Sequence, residues 1–209
     1  MHRGAGWGLG AVGIGAAVVV ALDLFHIDQI DPIRRTISEH GLGPHGWVFG
    51  LGVAIIALGS AVIGLSLVRR RLAGPIGTLG IMVWSIGLLV TATFQKHDWA
   101  VGPSLSGNIH RAGSFAAFLA LPLAVIVIAR PWRRIEGRPP AKAAFVFAVV
   151  SVAWVIGIAT MVYVGARSGM AWWQVMPLGL VERGLAVTEV AALAALGIWA
   201  MRRTRVELE

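Results

Sequence analysis

The sequence predicts an all-α integral membrane protein: a bundle of six transmembrane helices with a short extracytoplasmic interfacial helix. Three observations lead there. Hydrophobic residues make up 57% of the 209-residue chain and charged residues only 13%, where soluble domains carry about 25% charged residues. The apolar residues fall into six stretches, each long enough for a hydrocarbon core of ~30 Å, which takes ~20 residues. The basic residues lie in short clusters between those stretches, as membrane topology is usually written. A sequence pI near 11.5 therefore does not point to nucleic acid. The absence of cysteine excludes disulfides, a thiol nucleophile and thiolate metal sites.

The spans are expected at about 7–25, 47–68, 76–95, 110–129, 141–164 and 179–201 of a single domain, 1–209. The first run begins near Arg3, as a signal peptide would. No small-x-small cleavage site precedes the polar stretch that follows, and Asp23 and Phe25 fit one poorly, so the run is read as a helix. Lys and Arg set the orientation. Arg3, Arg69, Arg70, Arg71, Arg130, Arg133, Arg134, Arg138, Lys142, Arg202, Arg203 and Arg205 fall in one set of alternate segments. Only Arg34, Arg35, Lys96, Arg111, Arg167 and Arg183 fall in the other. The richer set is expected in the cytoplasm. That places both termini inside the inner (plasma) membrane and the connections at 23–47, 96–109 and 165–178 outside.

The connection DLFHIDQIDPIRRTISEHGLGPHGW, residues 23–47, concentrates three aspartates, two arginines, a glutamate and three of the six histidines. A connector that only joins two helices does not need them. Asp31 can cap a helix whose first residue is Pro32, where a missing N–H costs nothing, and Gly41 can end it. On such a helix Arg34/Ser38 and Arg35/Glu39 would share separate faces. Gly6/Gly10, Gly46/Gly50, Ser60/Gly64 and Gly80 with Gly87 have the spacing of helix-contact residues, where small side chains let backbones approach. Trp7, Trp132 and Trp199 fall near the expected inner boundary, and Trp47, Trp99, Trp172 and Trp173 near the outer one, as an aromatic belt.

Candidate chemistry gathers at the outer end. Glu189 lies well inside the sixth span, where a carboxylate is costly and points to a partner or wet cavity. Glu182 is seven residues earlier on the same face. His110 and Arg111 are expected to start the fourth helix, whose N-terminus favours anions, with Ser114 one turn on. Arg34, Arg35, Ser38, Glu39, His110, Arg111, Glu182 and Arg183 form the candidate ligand-binding set, suited to phosphate or carboxylate headgroups. Against it stands internal pairing of these arginines with Asp23, Asp28, Asp31, Glu39 and Glu182. Acid–base candidates are Glu189, Glu182, His110 and Asp31. The outer histidines and aspartates have no tight ligand spacing, so no metal is expected. Axial histidines inside the spans are lacking, so no haem or other cofactor is expected. No GxSxG elbow is present, and Ser38 and His40 would diverge on a helix, which disfavours a seryl hydrolase.

The segment DPIRRTISEHGLGPHGW, with its Asp-Pro and Ile-Ser-Glu elements and Gly-Pro-x-Gly-Trp entry into the second helix, resembles a family signature. The His110 region and the Gly-Leu-x-Glu-Arg-Gly element at Gly179–Gly184 continue it. On these motifs, over nearly the whole chain, the sequence resembles prokaryotic six-helix membrane proteins called domain of unknown function 998. More distantly it is similar to six-helix proteins of the Frag/DRAM/Sfk type. Before the fourth helix the family pattern has a Phe-Pro-x-Asp-type element, where this chain has Phe94-Gln95-Lys96-His97-Asp98. The resemblance implies topology and no activity. The expected function is binding of a lipid headgroup or amphipathic anion, in lipid handling, transport or sensing, with membrane lipid as partner. The alternatives are an intramembrane enzyme acting on lipid or cell-envelope intermediates, and an accessory subunit with a membrane protein partner.

Overall fold

A computed structural model describes residues 3–130, 139–169 and 176–202. Among these, all regular structure is helical. The long helices are α1 (Arg3–Phe25), α2 (Gly46–Arg69), α3 (Pro75–Thr93), α4 (Leu105–Ala129), α5 (Pro139–Ser168) and α6 (Leu178–Arg202). All six are long and apolar enough to cross a membrane, and the protein is a multi-pass membrane protein. Trp132, Trp172, Trp173 and the basic residues Arg133, Arg134, Arg138, Arg203 and Arg205 lie outside the described residues.

Consecutive helices pack side by side, and α6 returns to α1 to close the ring. α6 also touches α2 and α4, so it runs through the middle of the bundle. Its buried face carries Val181, Leu185, Glu189, Ala192, Leu193, Leu196 and Trp199. Trp199, expected in the interfacial belt, is instead 1% exposed and part of the core. Trp7, Trp47 and Trp99 are exposed.

Glycines set the closest helix approaches, but not all at the expected positions. A Cβ on Gly8 would fall 2.8 Å from the Gly59 carbonyl oxygen, and one on Gly15 within about the same range of the Gly52 carbonyl. The α1–α2 crossing therefore uses Gly8 and Gly15. A Cβ on Gly10 would meet open space and one on Gly6 only the flexible end of Met201, so the Gly6/Gly10 expectation is corrected. Between α3 and α4 the matching approach is Gly87 to Gly113.

Helix starts follow local chemistry. Pro75 opens α3 at a position with no amide to satisfy. Ser104 caps α4 by accepting from the Gly107 amide at 3.0 Å. The α4 start is five residues earlier than expected. His110 and Arg111 therefore lie past its first turn and do not form a helix N-terminus.

The connector departs most from expectation. No continuous helix runs from Asp31 to Gly41. Asp31 caps one isolated turn, accepting from the Ile33 and Arg34 amides at 2.8 and 3.3 Å. Thr36 is extended, and a short 3-10 helix, Ile37–Gly41, follows. The reason lies in α6. The Ile33 carbonyl accepts from the Leu180 amide at 3.1 Å. The Pro32 and Arg35 carbonyls accept from Arg183, each at 2.8 Å. The Ile37 amide donates to Glu182 at 2.6 Å. Tertiary partners take the groups that an α-helix would have paired internally.

Candidate functional site

The connector is tied over one end of the bundle by three polar joints. In the first, the Arg183 guanidinium forks onto Asp23, Nε to Oδ2 at 2.9 Å and Nη2 to Oδ1 at 2.6 Å. His40 Nε2 meets the same Oδ1 at 2.7 Å. Arg183 Nη1 is shared among the Pro32, Arg35 and Gly179 carbonyls. Helix α1, the connector and α6 thus meet at one cation. In the second joint, Glu182 accepts from the Ile37 amide. In the third, Lys96, from the α3–α4 loop, donates to Glu39 Oε1 at 2.6 Å and Thr36 Oγ1 at 3.0 Å. Arg35 approaches the same Glu39 oxygen at 3.8 Å.

The α3–α4 loop is braced from below. Buried His97 accepts from the Ser104 amide through Nδ1 at 3.0 Å. Asp98, where the loop departs from the family element, accepts from the Ala100 amide at 2.9 Å and shapes its own turn. His110 Nδ1 donates to the Phe94 carbonyl at 2.7 Å, which fixes the tautomer and ring orientation. Ser114 donates to the His110 carbonyl and meets the Thr91 hydroxyl at 3.1 Å.

Two cavities adjoin at this end of the bundle. The larger, about 260 Å³, is lined by Gly41, Trp47, Thr93, Lys96 and His110, among others. The smaller, about 90 Å³, is largely apolar, with Val53, Ile56, Trp84, Leu88 and Phe118 on its walls. Ser38, Ser114 and Glu182 supply its polar rim. Phe49 and Thr91 line both, so the two spaces share a wall.

The expected ligand-binding residues separate into groups. Ser38, Glu39, Glu182 and Arg183 come together around the connector. His110 lies on the larger cavity. Arg34 and Arg35 are exposed on the turn, and Arg111 is exposed and bonded to Asn108 on its own helix at 3.4 Å. The acid–base candidates are engaged one by one. Asp31 holds amides, His110 the Phe94 carbonyl and Glu182 the Ile37 amide. Glu189 is fully buried, and neither carboxyl oxygen has a hydrogen-bond partner. No three His, Asp or Glu side chains converge as a metal set among the described residues.

Lys96, Asp23 and His40 were not among the expected site residues. Asp23 and Lys96 each left a signal: a lone charge at the very edge of an apolar run. Their partners, Arg183 and Glu39, lie 160 and 57 residues away, and the Arg183–Asp23 pair is the internal pairing weighed above against ligand binding.

One family model, described as Protein of unknown function (DUF998), matches residues 5–199. The chain belongs to the DUF998 family. Neither the curated proteins nor the solved structures contain a match to it. The family covers every element of the site above, from Asp23 on α1 to Glu189 on α6.

Proposed function

We propose that this DUF998 protein binds the anionic headgroup of an amphipathic molecule, a membrane lipid or a lipid-linked envelope intermediate, and serves in lipid handling, transport or sensing. The observation that carries this reading is the pair of adjoining cavities. One has a cation and a histidine on its wall, and the other is apolar, which is the shape of a head-and-chain ligand. Lys96 is the headgroup contact. Its bonds to Glu39 and Thr36 use two of the three N–H donors of an ammonium, and the third is available to a phosphate or carboxylate oxygen. Arg183 is not a ligand contact in this reading, because its donors already hold Asp23 and three carbonyls. Arg34, Arg35 and Arg111, exposed at the same end, raise the local concentration of anions. The excess of Lys and Arg in the opposite connections favours an extracytoplasmic position for this end, in the inner membrane.

Lipid extracted from the purified protein tests the reading. Lys96→Gln is expected to carry several-fold less anionic lipid per protein than wild type, with Arg111→Ala close to wild type. Equal lipid in Lys96→Gln and wild type, with the fold retained, overturns it.

A second reading, an accessory subunit, has one observation in its favour. In α5 only 11% of the apolar window is buried, against 50% in α2 and α6. Crosslinkers placed on exposed α5 positions such as Ile156 would then capture a partner chain, whereas capture of lipid alone speaks for the binding protein.

A further inference from the structure

Glu189 has no part in the headgroup site, yet a buried carboxyl in a membrane span is a costly side chain. It is 0% exposed and lies about 16 Å along α6 from Leu178, at roughly 1.5 Å per residue. Both carboxyl oxygens lack a hydrogen-bond partner. A charged carboxylate in such a place requires a counter-charge, and the packed elements offer none at that depth. On α6 itself the other ionisable groups are Glu182 and Arg183 above, both engaged with the connector, and Arg202 at the far end. Helix α1 brings only Arg3 and Asp23, at its two ends. Helix α2 brings only Arg69, at its far end, and α4 brings His110 and Arg111, near its start. Helix α5 brings Lys142, Tyr163 and Arg167, toward its two ends. Among the described residues no cluster of His, Asp or Glu could hold a metal ion there. Ser60 is occupied by Trp84 and the Ile56 carbonyl, and Ser151 by Thr188 and the Phe147 carbonyl. A proton is the cation that needs no ligand cage.

Glu189 does not itself line a cavity, but its neighbours on α6 do. Ala186, one turn before it, and Val190, the next residue, both line the smaller cavity, as does Glu182 on the same helix face. That cavity, at about 90 Å³, has room for several waters, one needing roughly 10–15 Å³. Ser38, Thr91 and Ser114 give such waters hydrogen-bond partners, and the Thr91 wall leads on to the larger cavity.

We infer that Glu189 is an intramembrane proton-binding site that exchanges its proton with water at the connector end, through the cavity beside Glu182. The step is a plain protonation: the carboxylate takes one proton from cavity water to become the neutral acid and returns it by the same path. It shares the smaller cavity with the headgroup reading, where a lodged chain would displace the water, but it requires no ligand and survives that reading's failure.

The test uses dicyclohexylcarbodiimide, an apolar reagent that modifies protonated carboxyls, on the full chain in neutral-lipid nanodiscs. Fragmentation of the labelled peptides locates the adduct. The expected result is an adduct on Glu189 at neutral pH whose rate falls as the pH rises, by about tenfold per unit once the carboxyl titrates. Filling the cavity with Ser114→Phe is expected to slow that response to a pH step. An adduct rate that is the same from acid to strongly alkaline pH overturns the inference, because a sealed carboxylic acid does not sense bulk pH. Where the bulky reagent gives no adduct, the infrared carbonyl band of the protonated acid, assigned by its loss in Glu189→Gln, must shift promptly in heavy water, and a band that does not shift overturns it. Glu189→Gln serves as the assignment control. If that variant does not fold, the fragment ions of the wild-type peptide make the same assignment.

Discussion

Arg183 and Lys96 lie at the same end of the bundle, and their hydrogen bonds separate their roles. Arg183 reads as a structural clamp because a planar fork meets a carboxylate edge while its remaining nitrogen gathers carbonyls. Lysine has no fork to offer. Arg183→Lys, which keeps the charge but loses the bonds to the carbonyls, is therefore expected to lower stability by about 1–3 kcal/mol, the scale for leaving buried polar groups unpaired, seen as a lower melting temperature in detergent. An unchanged melting temperature would show that the fork does not hold the connector. Glu182→Leu should leave the Ile37 amide unpaired and cost about 1–3 kcal/mol, whereas Glu182→Gln keeps an acceptor and should cost much less. Equal losses in the two would put the importance of Glu182 in its charge. Sequence spacing marks Glu182, Arg183 and Glu189 as unusual because each is a charge on an apolar helix. It does not say that the first two bond to backbone groups of the connector, since those partners are carbonyls and amides that every residue has.

At the scale of elements, helix identity was legible and helix contacts were not. Length and hydropathy decide whether a segment can cross a membrane, and the six long apolar helices form over the six apolar stretches, α4 beginning earlier than its stretch. Which glycines touch depends on the crossing geometry of two helices. That is why Gly8 and Gly15 pack against Gly59 and Gly52 while Gly10 faces open space. Gly59→Val should force α1 away from α2, at an overpacking cost of about 1–3 kcal/mol, and Gly10→Val should be nearly neutral. Thermal stability of the two variants side by side checks this, and equal melting temperatures would contradict it. The α4 boundary was displaced because Ser104 caps the helix before its apolar run begins. In the connector, capping and i,i+4 spacing favour a helix from Asp31, while α6 supplies competing bonds at Ile33, Pro32, Arg35 and Ile37. Local propensity lost to tertiary contacts there.

For the whole molecule, the polar connections at one end and the sparse cations around them make orientation the first question. The chain has no cysteine, so single cysteines report cleanly. Gln29→Cys, on the exposed connector, should react with an impermeant maleimide added to intact cells. Gly74→Cys, at the opposite end, should react only after the membrane is opened. The reverse pattern would place the cavities in the cytoplasm. The central claim is that the adjoining cavities hold a head-and-chain ligand. A density map of the wild-type protein in nanodiscs tests it most directly. An amphiphile site gives an elongated density with its head between Lys96 and His110 and its chain passing Thr91 toward Trp84. Cavities holding only isolated water peaks, with Lys96 bonded to Glu39 and Thr36 alone, would contradict it.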